Sequence, residues 1–235
     1  MTLKALLFDV DGTLADTEDG HRLAFNQAFR DFGYDWSWDT ALYGQLLAVT
    51  GGKARIRRYL QDSRPDLLQR DDWQDWIATL HKRKTDHYVA ALNSGGIPLR
   101  PGIERLLGEA RDQGVVLAIA TTTTPVNVQA LIENTLGVAA LDWFGAIGAG
   151  DCVDKLKPAP DIYLWVLDKL GLPAADCLAI EDSHNGLVAA RAAGLKTLIT
   201  YCPYTTEHDF SGAVAIADGL GDDVHMEHLR QWHTD

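Results

Sequence analysis

The sequence predicts an α/β fold, a doubly wound parallel sheet with an all-helical module inserted after its first strand. Three observations carry that expectation. The chain opens on an apolar run, Leu6-Leu7-Phe8, that ends in Asp9-Val10-Asp11-Gly12. Between Asp16 and Leu92 apolar residues recur at three- and four-residue spacings, with no strand-like alternation. From Arg100 onward strand-like and helical segments alternate, the pattern of a parallel sheet with right-handed crossovers.

Taken in order, the first run is short, apolar and closed by a glycine, so it reads as a buried parallel strand opening into a loop. Helical spacing begins at Asp16-Thr17-Glu18 and continues through Leu23, Phe25, Ala28, Phe29 and Phe32 to Gly33. Further helices are expected over 40–48, 53–61 and 71–92. The tryptophans between Tyr34 and Asp39 are expected to build the core of this module. Asn93-Ser94-Gly95-Gly96-Ile97-Pro98 has the composition of a linker. The expected boundaries are therefore 1–15 and 96–235 for the sheet domain and 16–95 for the helical insertion. In the second part, helices are expected over 101–111, 126–135, 160–170 and 185–193. Strands are expected over 115–120, 144–147, 178–180, 197–200 and 213–217. The stretch after 217, with His225, His228 and His233, reads as a polar tail.

A chain of 235 residues with 46% hydrophobic content has ample material for such a core. Its net charge of -12 argues against a nucleic-acid partner or an anionic membrane surface, which need a basic face. No apolar run is long enough to span a bilayer, and the early first strand leaves no room for a signal peptide. Cys152, Cys177 and Cys202 are odd in number and lack a C-x-x-C pair, which fits a reduced, cytoplasmic protein.

Ligands bind beyond the carboxyl ends of the strands in open α/β sheets. Asp9 and Asp11, two residues apart, face one side of that end. Adjacent carboxylates repel unless a cation or shared proton offsets them. The pair thus asks for a divalent metal, for a nucleophile with an acid/base, or for both. Later strand ends add Thr121-Thr122-Thr123, then Lys157-Pro158-Ala159-Pro160, then Glu181-Asp182-Ser183-His184-Asn185-Gly186. Alone, each has an ordinary reading: a hydroxyl cluster, a solvated lysine, a helix N-terminus. Their joint placement at successive strand ends is what those readings leave unexplained.

With these motifs in this order, the chain resembles the haloacid dehalogenase-like hydrolase superfamily, and the helical insertion resembles its C1-type cap. The resemblance implies Asp9 as nucleophile, giving an aspartyl-phosphate, and Asp11 as the acid that protonates the leaving oxygen and then activates water. It implies Mg²⁺ between Asp9, the main-chain carbonyl of Asp11 and Asp182, with Glu181 acting through a water on the metal. Thr121 and the amide of Thr122 would hold phosphate oxygens, and Lys157 would offset their charge. An acid at position 11 suits a leaving alkoxide; a leaving halide needs no proton, so dehalogenation is disfavoured.

Specificity is expected from the insertion. Gly51 and Gly52 permit close backbone approach ahead of four basic residues, and Lys53 and Arg55 are placed to meet a second phosphate. The run D-G-T-L-A-D-T-E-x-x-H followed by T-G-G-K-x-R-I resembles the CbbY and β-phosphoglucomutase-like subgroup. That likeness implies a small phosphorylated sugar as substrate, xylulose-1,5-bisphosphate first, and makes Glu18, His21 and Tyr43 substrate contacts. Gly20 departs from the bulkier residue often found there. Val49-Thr50-Gly51-Gly52-Lys53 differs from the mutase cap loop, favouring a phosphatase over a β-phosphoglucomutase. A broad-specificity or phosphoglycolate phosphatase is a further alternative, and a receiver-like phospho-acceptor is the alternative outside enzymes. A monomer is expected.

Overall fold

The computed structural model describes residues 2–234. The chain forms two compact units, Met1–Asp16 with Ile97–Asp235, and Thr17–Gly96. Among the described residues the first unit holds six strands: β1 (Ala5–Phe8), β2 (Val116–Ala120), β3 (Phe144–Gly148), β4 (Cys177–Glu181), β5 (Lys196–Thr200) and β6 (Ala215–Ala217). They form one sheet in the order β3-β2-β1-β4-β5-β6, and every neighbouring pair is parallel. Its helices are α5 (Ile103–Asp112), α6 (Pro125–Thr135), α7 (Asp161–Leu170), α8 (His184–Ala192) and α9 (Met226–Thr234), numbered after the four of the second unit.

The central strands are apolar because both faces are covered. Every residue of β1 is buried, as is every residue of β4. One face places Leu7, Ala118 and Ala179 against Ile162, Tyr163 and Val166 of α7. Helix α7 comes close to β3 because two glycines leave space: a Cβ at Gly145 would press on Leu170, and one at Gly148 on Val166. This packing role accounts for Gly145 and Gly148.

Two boundaries differ instructively from expectation. Helix α5 starts at Ile103 rather than at Pro101, because Pro101-Gly102 forms a turn in which the Ile103 N–H donates to Arg100 O. The expected polar tail is helical from Met226. Its pattern is short and mostly polar, but Met226, Leu229 and His233 share one buried face, and His233 Nε2 lies 2.9 Å from Ala175 O.

Glu109 of α5 holds this last helix. It accepts from the Met226 N–H (2.9 Å) and from Arg105 (2.8 Å), and His225 Nδ1 lies 2.7 Å away. Burial pushes its carboxyl up, but these partners outweigh it and bring it down to about 2. A carboxyl lowered on folding adds stability above its unfolded value, and that stability is lost as pH falls toward the folded one. Glu109→Gln should therefore lower the melting temperature at neutral pH, and the gap to the parent should narrow as pH drops from about 4.3 toward 2. Melting curves across that window check it.

The second unit is helical, with α1 (Glu18–Asp31), α2 (Thr40–Leu46), α3 (Gly52–Ser63) and α4 (Trp73–Asn93). Its core is the expected aromatic cluster: Trp38 is buried between Phe25 and Phe29, with ring centroids 4.6 and 4.9 Å away. Asn26 pins it, donating to Trp38 O (2.9 Å) and accepting from the Trp38 N–H (2.8 Å).

Candidate active site

The site forms where β1, β2 and β4 end. The Asp9 N–H donates to Ile180 O (3.0 Å), which sets the β1 end beside that of β4. The chain then turns tightly, with the Thr13 and Leu14 N–H groups donating to Val10 O. Gly12 takes a φ of +81°, and a Cβ there would overlap the Asp182 carboxylate. Only glycine satisfies both demands.

Lys157 organises the charges. The residue is 5% exposed, and its ammonium donates to Asp9 Oδ1 (2.6 Å), Glu181 Oε1 (2.5 Å) and Ala120 O (2.8 Å). Residues 148 and 24 positions apart are thereby joined through one nitrogen. Burial disfavours the ammonium, but the Asp9 and Glu181 carboxylates outweigh it and hold Lys157 above its ordinary value. Asp9 is pushed up to about 8, first by burial and then by the charges of Glu181 and Asp11, against the pull of Lys157. A carboxylate so disfavoured is one that a second cation would return to its ionised form.

The donors for such a cation are present. Among the described residues, oxygens of Asp9, Glu181 and Asp182 lie within 4.8 Å of one another, all buried. An all-oxygen carboxylate set suits a hard divalent ion. Their engagement differs, however. Glu181 takes Lys157 and Tyr163 (2.7 Å) on Oε1, and the Asp182 N–H (3.1 Å) and Ser183 hydroxyl (3.3 Å) on Oε2. Gly186 of α8 leaves room for it, since a Cβ there would overlap the Glu181 carboxyl group. Among the described residues the Asp11 carboxylate is not part of this oxygen cluster.

At the β2 end Thr121 is buried, and its hydroxyl accepts from the Thr123 N–H (3.2 Å). Thr122 is half-buried beside it. Asn127 of α6 donates to the Thr123 hydroxyl (2.9 Å), bracing this loop from the helix.

The residues expected from the insertion form two groups within the helical unit. In one, buried Tyr43 donates its hydroxyl proton to Glu18 (2.8 Å) and accepts from Arg55 (2.8 Å). In the other, His21 stacks on Tyr88 at 3.9 Å, and its Nδ1 lies 2.6 Å from the buried Lys84 ammonium. Gly51 precedes α3, and a Cβ on Gly52 would overlap His81. Lys53 is exposed in the first turn of α3.

Three contributors are absent from the motif reading. Tyr163, at helical spacing in α7, is indistinguishable in sequence from an ordinary core aromatic. Cys202 donates to Asp182 Oδ2 at 3.3 Å, its thiol pushed up to about 12 by burial and the facing carboxylate. Arg100, just past the linker, carries no motif in the sequence.

Residues 3–194 match the family model of haloacid dehalogenase-like hydrolases. The chain belongs to that family. It is 50% identical over 223 residues to the plasmid-encoded protein CbbY of Cupriavidus necator, covering 94% of this chain and 87% of that one. A single Asp-to-Asn variant of CbbY from Rhodobacter sphaeroides, solved in complex with xylulose-(1,5)bisphosphate, superposes with a TM-score of 0.89. It is 42% identical, covering 97% of this chain and 99% of that one. A β-phosphoglucomutase from Clostridium difficile shares the fold at 21% identity and a TM-score of 0.80, over 100% and 98% of the two chains. This haloacid dehalogenase-like hydrolase is thus a CbbY-like phosphatase with the all-parallel sheet that the sequence predicts. Among the described residues no helix is long and apolar enough to cross a membrane.

Proposed function

We propose that the chain is a Mg²⁺-dependent phosphatase of small sugar phosphates, acting on xylulose-1,5-bisphosphate through an aspartyl-phosphate. The observation that carries the chemistry is the buried ammonium of Lys157 shared between Asp9 and Glu181. The substrate is argued from the sugar bisphosphate bound to the Rhodobacter relative.

Asp9, Asp182 and the main-chain carbonyl of Asp11 would hold the ion, with Glu181 beside them, itself held by its own hydrogen bonds. When bound, Mg²⁺ neutralises phosphate charge and keeps Asp9 ionised. The Asp9 carboxylate attacks phosphorus, and the bond to the sugar oxygen breaks as the Asp11 carboxyl gives that oxygen its proton. Asp11, now a carboxylate, takes a proton from the water that cleaves the aspartyl-phosphate. Thr121 and the Thr122 amide hold phosphate oxygens, and Lys157 balances the charge that builds on them.

In this reading 1–15 and 96–235 form the catalytic core and 16–95 a cap that discriminates substrates. Glu18, His21, Tyr43, Gly51, Gly52, Lys53 and Arg55 carry the discrimination, Lys53 and Arg55 toward the second phosphate. Lys53→Ala should raise KM for a bisphosphate about tenfold, the scale of one lost charged hydrogen bond, and leave a monophosphate nearly unaffected. Paired KM measurements decide it. The protein is read as a cytoplasmic monomer.

The test is phosphate release from xylulose-1,5-bisphosphate, ribulose-1,5-bisphosphate, phosphoglycolate and β-glucose 1-phosphate, each with and without EDTA. Preference for the xylulose bisphosphate that EDTA abolishes is expected. Equal slow release from all would make the enzyme a generalist. Isomerisation of the glucose phosphate without release would make it a mutase.

A further inference from the structure

Arg100 stands three residues after Ile97, where the chain re-enters the sheet-bearing unit, and its side chain is only 9% exposed. Its guanidinium is occupied by main-chain carbonyls. Nη1 donates to Gly12 O (2.5 Å) and Thr200 O (2.7 Å), and Nη2 to Tyr201 O (2.7 Å). Nε lies 3.3 Å from the Asp16 carboxylate, and the Arg100 N–H donates to Leu14 O (2.8 Å). Leu99 meanwhile bridges Ala15 in antiparallel fashion. One side chain thus ties the turn after β1 to the end of β5 and to the last residue before the helical unit.

The tie falls at a sensitive point. Gly12 follows Asp11 directly, and its backbone lies against the Asp182 carboxylate. We propose that Arg100 is a positioning residue for Asp11: it grips the Gly12–Thr13 peptide at Gly12 O, while the Gly12 N–H donates to Ala15 O (2.9 Å), so that Gly12 is held from both sides and fixes the backbone from which the Asp11 carboxyl projects. The proposal rests on the assignment of Asp11 as the acid that protonates the leaving oxygen. In that step the Asp11 proton moves to the sugar oxygen as the P–O bond breaks, and an ångström of misplacement slows it. Three carbonyls at fixed directions match the planar fork of arginine, which the point charge of lysine cannot reproduce.

The experiment compares leaving groups. The kcat/KM reports events up to departure of the first product. It is measured for an alkyl phosphate, glycerol 3-phosphate, whose alkoxide needs a proton, and for p-nitrophenyl phosphate, whose phenolate leaves without one. Asp11→Asn, Arg100→Lys and Arg100→Gln are assayed beside the parent, with melting temperatures to show that each is folded. Two Arg100 variants are used so that instability of one does not end the test. Asp11→Asn should lose at least about a hundredfold on the alkyl substrate and far less on the aryl one. Both Arg100 variants should show the same bias, losing about tenfold or more on the alkyl phosphate and under about threefold on the aryl phosphate. Equal losses on both substrates in the Arg100 variants, with the bias intact in Asp11→Asn, would overturn the proposal and leave Arg100 as scaffold. Absence of the bias in Asp11→Asn itself would overturn the assignment of Asp11, and the proposal with it.

Discussion

Asp9→Asn should lower phosphate release by at least about a thousandfold while the protein stays folded. The amide is close in shape to the carboxylate but is a poor nucleophile. It also removes a charge that burial already disfavours, as the upward shift of Asp9 to about 8 records. Lys157 keeps Glu181 and Ala120 O as partners, so the ammonium is not stranded. Activity and melting temperature should therefore separate, the first collapsing and the second changing by no more than a few degrees. A parallel loss of both would mean that Asp9 acts chiefly in folding.

Lys157→Met should do the opposite and lower both. Removing the ammonium leaves Asp9 and Glu181 buried with no shared cation, and breaking a buried ion pair in this way costs about 3–5 kcal/mol. Denaturant unfolding should show that loss in the midpoint. Turnover should fall about a hundredfold or more, on the scale of one lost charge-stabilising group. Adding Glu181→Gln to Lys157→Met removes one of the two stranded charges. The double variant should regain part of the stability and none of the activity. No recovery would mean that the lysine acts through its packing on Tyr163, whose ring centroid lies 5.0 Å from the ammonium, rather than through charge.

What the sequence revealed and what it hid follow from how each signal is made. Strands covered on both faces are apolar, so β1, β2 and β4 stand out as short runs bounded by polar residues. The acids at the ends of β1 and β4 are visible because charge at the end of a buried strand is unusual. The geometry that joins them is not local: Lys157 meets Asp9 across 148 residues, and no spacing rule carries that distance. Helix α9 escaped notice because its buried face is only three residues long and includes His233, which periodicity counts as polar. Arg100 and Tyr163 escaped for a related reason. An arginine just past a linker and a tyrosine in an amphipathic helix have ordinary readings in sequence, and only the fold shows that one grips three carbonyls and the other supports Glu181.

The central claim is that Asp9 carries the phosphoryl group. A single turnover with xylulose-1,5-bisphosphate and Mg²⁺, quenched in acid and reduced with borohydride, tests it most directly. An aspartyl-phosphate is reduced at the acyl carbon, so peptide mass spectrometry should find homoserine at position 9 and nowhere else. The modification should vanish in Asp9→Asn. Turnover without any trapped acyl phosphate, or phosphate carried on a serine, histidine or another acid, would contradict the account.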